Sequence, residues 1–153
     1  MYQFFESIRV KDGVVENLGF HQLRVHKTLK AHDTSENKIK LEKIIQDLMI
    51  PTIGLFKLRI AYALNGDYQT EWVPYQLKLV SSFALVDIHG HSYDFKFSDR
   101  AWITEFLKQS GKDEIIMHDN GVIKDCSYTN IVFNNGEKWY TPQLPLLEGK
   151  QRA

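Results

Sequence analysis

The Asn65-Gly66 pair restricts this chain more than any other short segment. Before it, from Gly54 to Leu64, Leu55, Lys57, Arg59 and Ala61 share one face while Phe56, Leu58, Ile60 and Tyr62 share the other. After it, Tyr68 to Val73 reads as a second extended run. Extended runs on both sides of Asn-Gly predict an antiparallel hairpin. A lone hairpin is marginal in water, so its apolar face needs further strands and a helix to cover it. The sequence supplies both. Gln3 to Val10 alternates as a strand, Lys11-Asp12-Gly13 is a turn signal, and Val14-Val15-Glu16 reads as the return. Phe20, Leu23 and Leu29 follow helical spacing, and a loop is expected over 32–35. Leu41, Ile44, Ile45, Leu48 and Met49 then form a second helical stripe, ended by Pro51. Strands around two helices make an α+β pattern.

Leu77 to Val86 is another extended run, and Asp87 to Tyr93 reads as a connection between two halves. Trp102, Ile103, Phe106 and Leu107 mark a short helix that stops near Gly111. Strands are expected at Glu114 to His118, Val122 to Lys124, Asn130 to Phe133 and Lys138 to Tyr140, with turns at 119–121 and 134–136. The 153 residues are 43% hydrophobic and 25% charged, which excludes disorder and fibrous architectures. Nineteen basic residues balance nineteen acidic ones. Neutrality gives no electrostatic footprint for nucleic acid or an anionic membrane, and little repulsion against self-association. No stretch has the apolar length of a membrane span, and the first ten residues lack the pattern of a secretory signal. A soluble, cytoplasmic protein of one or two domains is therefore expected. Cys126 is the one cysteine, no cluster has zinc-ligand spacing, and no metal is expected.

Several residues stand out for their chemistry. Lys96 lies among aromatics in Tyr93-Asp94-Phe95-Lys96-Phe97, a setting that favours either an amine nucleophile or a snorkelling strand lysine. His21 and Arg24 are one helical turn apart, so both can face one anion or simply share a helix surface. Lys57 and Arg59 point from one strand face, as in a carboxylate or phosphate site or an exposed sheet. Asp125 opens a polar segment, Asp125-Cys126-Ser127-Tyr128-Thr129-Asn130, that also suits a structural turn.

Taken in order, these blocks resemble the class IV fold-type of pyridoxal-phosphate enzymes. That family includes branched-chain aminotransferase, D-amino-acid aminotransferase and aminodeoxychorismate lyase. The matching segments are Phe5-Glu6-Ser7-Ile8-Arg9-Val10, His21-x-x-Arg24, Lys96-x-x-Asp99-Arg100, Ile123-x-Asp125, Asn130-Ile131-Val132-Phe133 and Pro145-Leu146-Leu147-x-Gly149-x-x-Arg152. The resemblance implies a two-domain D-amino-acid aminotransferase-like fold. An α+β domain over 1–88 would precede a partial, β-rich pseudo-barrel domain over 89–153 that binds the cofactor.

It also implies roles. Lys96 would carry pyridoxal 5'-phosphate as a Schiff base and move the substrate's α-proton. Asp125, where most of the family has Glu, would pair with the pyridine nitrogen. Arg24 would grip the cofactor phosphate, Leu147 would pack on the ring, and Gly149, Lys150 and Gln151 would form the phosphate turn. At that turn the family commonly has an Ile-Thr pair instead of Lys150-Gln151. The family continues past the position of Ala153 with a helix and a second phosphate-binding loop, so the second domain is expected to be truncated. The expected activity is amino transfer between a small amino acid and a 2-keto acid, with Lys57 or Arg59 holding a substrate carboxylate. An aminodeoxychorismate lyase-type reaction on an amino-sugar-acid-like substrate is the near alternative. A homologue that keeps the fold and binds no cofactor is the alternative from another class. Relatives of this kind work as homodimers, and a homodimer without nucleic-acid or membrane partners is expected here.

Overall fold

A computed structural model describes residues 1–33 and 38–147. The chain divides into two compact units, Met1–Leu77 with Lys96–Ser98, and Lys78–Phe95 with the chain from Asp99 onward. The sequence division at 88 and 89 thus differs from the observed one. Residues from Lys78 belong with the second unit because the strand that follows them pairs there.

The first unit is an antiparallel sheet with two helices. Its strands are β1 (Phe4–Lys11), β2 (Val14–Val15), β3 (Leu55–Tyr62) and β4 (Tyr68–Pro74), in the order β2-β1-β3-β4. The register sets Phe5 opposite Ala61, Ser7 opposite Arg59, and Arg9 opposite Lys57. Because side chains alternate, Phe4, Glu6, Ile8 and Val10 share the other face with Leu58, Ile60 and Tyr62, and all seven are buried. The helices α1 (Leu18–Ala31) and α2 (Leu41–Gln46) contribute Val25, Leu29, Leu41, Ile44 and Ile45 to the core. Each such apolar side chain adds roughly 1.5–3 kcal/mol by leaving water. The segment 96–98 completes this unit: Phe5 N–H donates to the Lys96 carbonyl at 3.0 Å, and Ser98 N–H to the Gln3 carbonyl at 2.7 Å.

Both hairpins form where the turn residues stand. At Asn65-Gly66 the loop is wider than a two-residue turn, closed by Ala63 N–H donating to the Asp67 carbonyl at 2.9 Å. Gly66 takes φ +99°, and a Cβ there would lie 3.0 Å from Lys38 Cβ, so two constraints favour glycine. The helix α2 is shorter than its stripe suggests. It ends at Gln46, leaving Leu48 half-buried and Met49 exposed. Pro51 disfavours helical backbone at Ile50, and Leu48 N–H turns back to the Ile45 carbonyl at 3.1 Å.

The second unit contains a βαβ crossover. Strand β5 (Phe83–Asp87) pairs in parallel with β6 (Glu114–Asp119), and α3 (Ala101–Ser110) lies between them in sequence. Strand β7 (Val122–Cys126) pairs antiparallel with β6, giving the order β5-β6-β7. A two-stranded ribbon, β8 (Phe133–Asn134) with β9 (Trp139–Tyr140), follows. Among the described residues these are separate sheets, not a closed barrel. The extended run from Leu77 enters the ladder only at Phe83. Just before it, the Asp113 carboxylate accepts hydrogen bonds from the amides and hydroxyls of Ser81 and Ser82 at 2.8–3.0 Å.

Candidate functional site

The first cluster is built on β1. Glu6 alternates with Phe4 and Ile8, so its carboxylate is carried into the core, where its side chain is 0% exposed. A carboxylate there must be paired and hydrogen-bonded. The helix α1 supplies both partners: Arg24 Nε donates to Oε1 at 2.8 Å, Arg24 Nη2 donates to Oε2, and His21 Nδ1 lies 2.7 Å from Oε2. A carboxylate only accepts, so Nδ1 carries the proton. Burial alone raises the Glu6 pKa, but the hydrogen bonds and charges of Arg24 and His21 outweigh it and leave the group below its ordinary value. The anion that His21 and Arg24 jointly face is therefore the chain's own.

The second cluster surrounds Phe5, on the opposite face of β1. The Lys96 ammonium and the Arg59 guanidinium each stand 4.9 Å from its ring centroid. Lys57 shares that sheet face, beside Arg9 in register. Lys57, Arg59 and Lys96 are all half-buried. Among the described residues no carboxylate pairs with Lys57 or Arg59. Backbone bonds at Lys96 and Ser98 fix the lysine's Cα on the edge of β1.

The third cluster belongs to the second unit. Asp125 lies at the end of β7 and is 5% exposed. Its Oδ1 accepts from Asn130 Nδ2 at 2.7 Å, and its Oδ2 from the amides of Leu146 and Leu147 at 2.7 and 3.0 Å. Asn130 Nδ2 also reaches the Leu147 carbonyl at 3.3 Å, so one carboxylate and one amide tie Leu147 to the sheet. This engagement also explains why the strand expected from Asn130 begins only at Phe133. Beside Asp125, burial foremost, then the charges of Glu114 and Asp125, pushes the Cys126 thiol up to about 11. It is not a thiolate at neutral pH.

The structure thus places Arg24 with Glu6, Lys96 and Arg59 against Phe5, and Asp125 with Leu147, while Lys57 lies farther along the sheet face opposite Arg9. Gly149, Lys150, Gln151 and Arg152 lie outside the described residues. Sequence reasoning passed over Glu6 and Asn130 as site residues. Glu6 had a signal: an acidic residue on the apolar face of an alternating strand requires a buried partner. Among the described residues no group of acidic, histidine and cysteine side chains could hold a metal, and no helix is long and apolar enough to cross a membrane.

The class IV amino-transferase family model matches residues 3–152. The chain belongs to the class IV aminotransferase family. A Haemophilus influenzae protein is 34% identical over 156 residues, spanning 99% of this chain and 82% of that protein. The crystal structure of a proposed 4-amino-4-deoxychorismate lyase from Haemophilus somnus is 36% identical with a TM-score of 0.88. The match covers 99% of this chain and 81% of that one. A Brucella abortus aminotransferase, solved with its cofactor PLP, shares the class IV fold at a TM-score of 0.67 and 14% identity, over 97% of this chain and 64% of its own.

Proposed function

We propose that this class IV chain uses pyridoxal phosphate, held covalently by Lys96, to remove the α-proton and expel an oxygen leaving group from the β-carbon of a carboxylated amine of the 4-amino-4-deoxychorismate type, leaving a double bond between the two carbons. The residues suit the cofactor. Asp125 is a buried carboxylate with three hydrogen bonds in a group that offers about four acceptor positions. A protonated ring nitrogen is the cationic donor that fits the remaining position. Lys96 provides a half-buried amine beside the Phe5 ring, with its backbone fixed at the edge of β1. When bound, the cofactor supplies an electron sink beside the substrate amine. Lys96 Nζ would be the base that accepts the proton from the substrate's α-carbon. Asp125 would keep the ring nitrogen protonated, Arg24 would take the phosphate, and Leu147 would pack on the ring. Arg59 and Lys57, which have no carboxylate partner among the described residues, would take the substrate's carboxylates.

The Arg59 guanidinium, held against Phe5 as Lys96 is and without a carboxylate partner among the described residues, is the observation that carries a carboxylated amine as substrate. The 36% identical relative favours elimination over amino transfer. Amino transfer to a 2-keto acid uses the same residues and is the second reading, supported by the family itself.

One set of assays tests both. Protein mixed with pyridoxal phosphate is expected to absorb in the visible, and borohydride should fix the cofactor on Lys96. Lys96→Ala should do neither. A colourless wild type without a lysine adduct sinks the proposal. Pyruvate released from 4-amino-4-deoxychorismate without an amino acceptor supports elimination. Turnover only when a keto acid is added supports amino transfer instead.

A further inference from the structure

We infer that Arg100 is a positioning residue for Asp125: its guanidinium holds the two tip residues of the turn that carries Asp125 on one leg and Asn130 on the other. The inference rests on the pyridoxal-phosphate reading above, in which Asp125 meets the ring nitrogen. Cys126 N–H donates to the Thr129 carbonyl at 2.9 Å, so Ser127 and Tyr128 form the tip. Asn130 Nδ2 donates to Asp125 Oδ1 at 2.7 Å and ties the two legs together at the base. Whatever fixes the tip therefore fixes the base, and with it the direction of the Asp125 carboxylate.

Two charged groups hold that tip, one on each side of Ser127. The Ser127 N–H donates to Glu114 Oε1 at 3.0 Å, and the same oxygen accepts the Ile115 N–H at 2.9 Å. Glu114 is buried on β6, so this side is anchored to the sheet. On the other side Arg100, which immediately precedes α3, donates from Nη2 to the Ser127 carbonyl. Its guanidinium also stands 5.1 Å from the ring centroid of Tyr128 and 5.6 Å from that of the buried Tyr93. One side chain thus grips the backbone of one tip residue and the ring of the other.

The remainder of the Arg100 side chain separates this role from simple support of the fold. Among the described residues no carboxylate pairs with Arg100. Its Nε is buried without a hydrogen-bond partner. A buried unsatisfied donor destabilises a fold, so folding alone does not account for a guanidinium here. A flat group that donates to a carbonyl while lying over a ring is what the turn requires, and lysine would supply the charge without the plane. Three of the roughly four acceptor positions of Asp125 are filled from within its own unit. The fourth is aimed only as well as the turn is held.

The test has a readout that stability alone does not move. Wild type, Arg100→Lys, Asp125→Asn and the double variant are titrated with pyridoxal phosphate and with its 1-deaza analogue, whose ring has carbon in place of the nitrogen. Binding is read from the absorbance of the Lys96 adduct of each. Arg100→Lys is expected to bind pyridoxal phosphate roughly tenfold more weakly, as when a residue orienting a ligand-holding side chain is lost. It should bind the deaza analogue as wild type does, and the double variant should lose no more than Asp125→Asn alone. Equal losses for both ligands, no loss for either, or losses that add in the double variant overturn the inference.

Hydrogen exchange judges the clamp without cofactor. In Arg100→Lys the Leu146 and Leu147 amides, which donate to Asp125, should exchange about tenfold faster, while those inside β6 keep their protection. Unchanged exchange at Leu146 and Leu147 overturns the inference. Should Arg100→Lys not fold, Tyr128→Leu takes its place, since that residue is 65% exposed, and the same pattern is expected. If wild type forms no adduct, the pyridoxal-phosphate reading fails, and exchange at Leu146 and Leu147 still decides whether Arg100 sets Asp125.

Discussion

A carboxylate with no solvent exposure is stable only while its partners hold it, which makes Glu6 the most consequential polar residue of the first unit. Its folded pKa lies below the ordinary 4.5, because Arg24 and His21 together outweigh the burial that pushes it up. The stabilisation is therefore complete above that ordinary value and is lost as pH falls through the lower folded value. Replacement by Ala leaves a guanidinium and an imidazole facing an apolar hole, a loss of about 3 kcal/mol. Glu6→Gln keeps the volume and removes the titration. Urea midpoints taken from pH 6 to pH 3 should fall less steeply in Glu6→Gln than in wild type. Equal slopes would mean that Glu6 does not titrate with folding.

Among the elements, the clamp before β5 shows how one side chain sets a strand boundary. Asp113 draws two amides and two hydroxyls from Ser81 and Ser82, and these bonds hold its pKa down to about 2 from 3.8. The clamp is intact above pH 3.8 and opens as pH falls toward 2. In Asp113→Asn at neutral pH, the Ser81 and Ser82 amides should exchange with solvent at least tenfold faster, while those inside β6 keep their protection. Unchanged exchange at 81 and 82 would show that something else holds the segment.

The same element shows what sequence conceals. The alternation from Leu77 to Val86 marks an extended run, but nothing local says that its first half is tied up by a residue about thirty positions later. Nor does it say that its second half pairs in parallel across α3. Hairpins were more legible, since Asp12-Gly13 and Asn65-Gly66 carry their geometry in their own backbone preferences. The helix α2 was overextended because Leu48 and Met49 continue a spacing that Pro51 interrupts. For the proposed site, Arg24, Lys96 and Asp125 stand out in the sequence as a pattern of blocks. Glu6 and Asn130 act through partners distant in sequence, and only the fold pairs them.

For the whole molecule, the useful quantity is how binding feeds back on folding. Each unit has its own core, the first around Ile8, Leu58 and Ile60 and the second around Ile88, Ile115 and Met117. The clusters proposed to hold the cofactor are extensions of those cores: Arg24 through the buried Glu6, Lys96 through the edge of β1, and Asp125 at the end of β7. A ligand that requires these residues in place binds the native chain and not the unfolded one. At a cofactor concentration a hundred times its dissociation constant, that linkage adds about 2.7 kcal/mol. For a chain of 153 residues the shift in Tm is then roughly 5–10 °C. Lys96→Ala should fold as well as wild type without cofactor, because the side chain is only half-buried and the backbone bonds at Lys96 and Ser98 remain. Its response to cofactor should shrink to a fraction of the wild-type shift, since the covalent bond is gone while the phosphate contacts remain. Scanning calorimetry over a cofactor series checks both statements. An equal shift in wild type and Lys96→Ala would place the binding energy elsewhere and remove Lys96 from the site. Pyridoxal in place of the phosphate form should lower the wild-type shift but not abolish it, because the proposed roles put Lys96 and Asp125 on the ring and Arg24 on the phosphate.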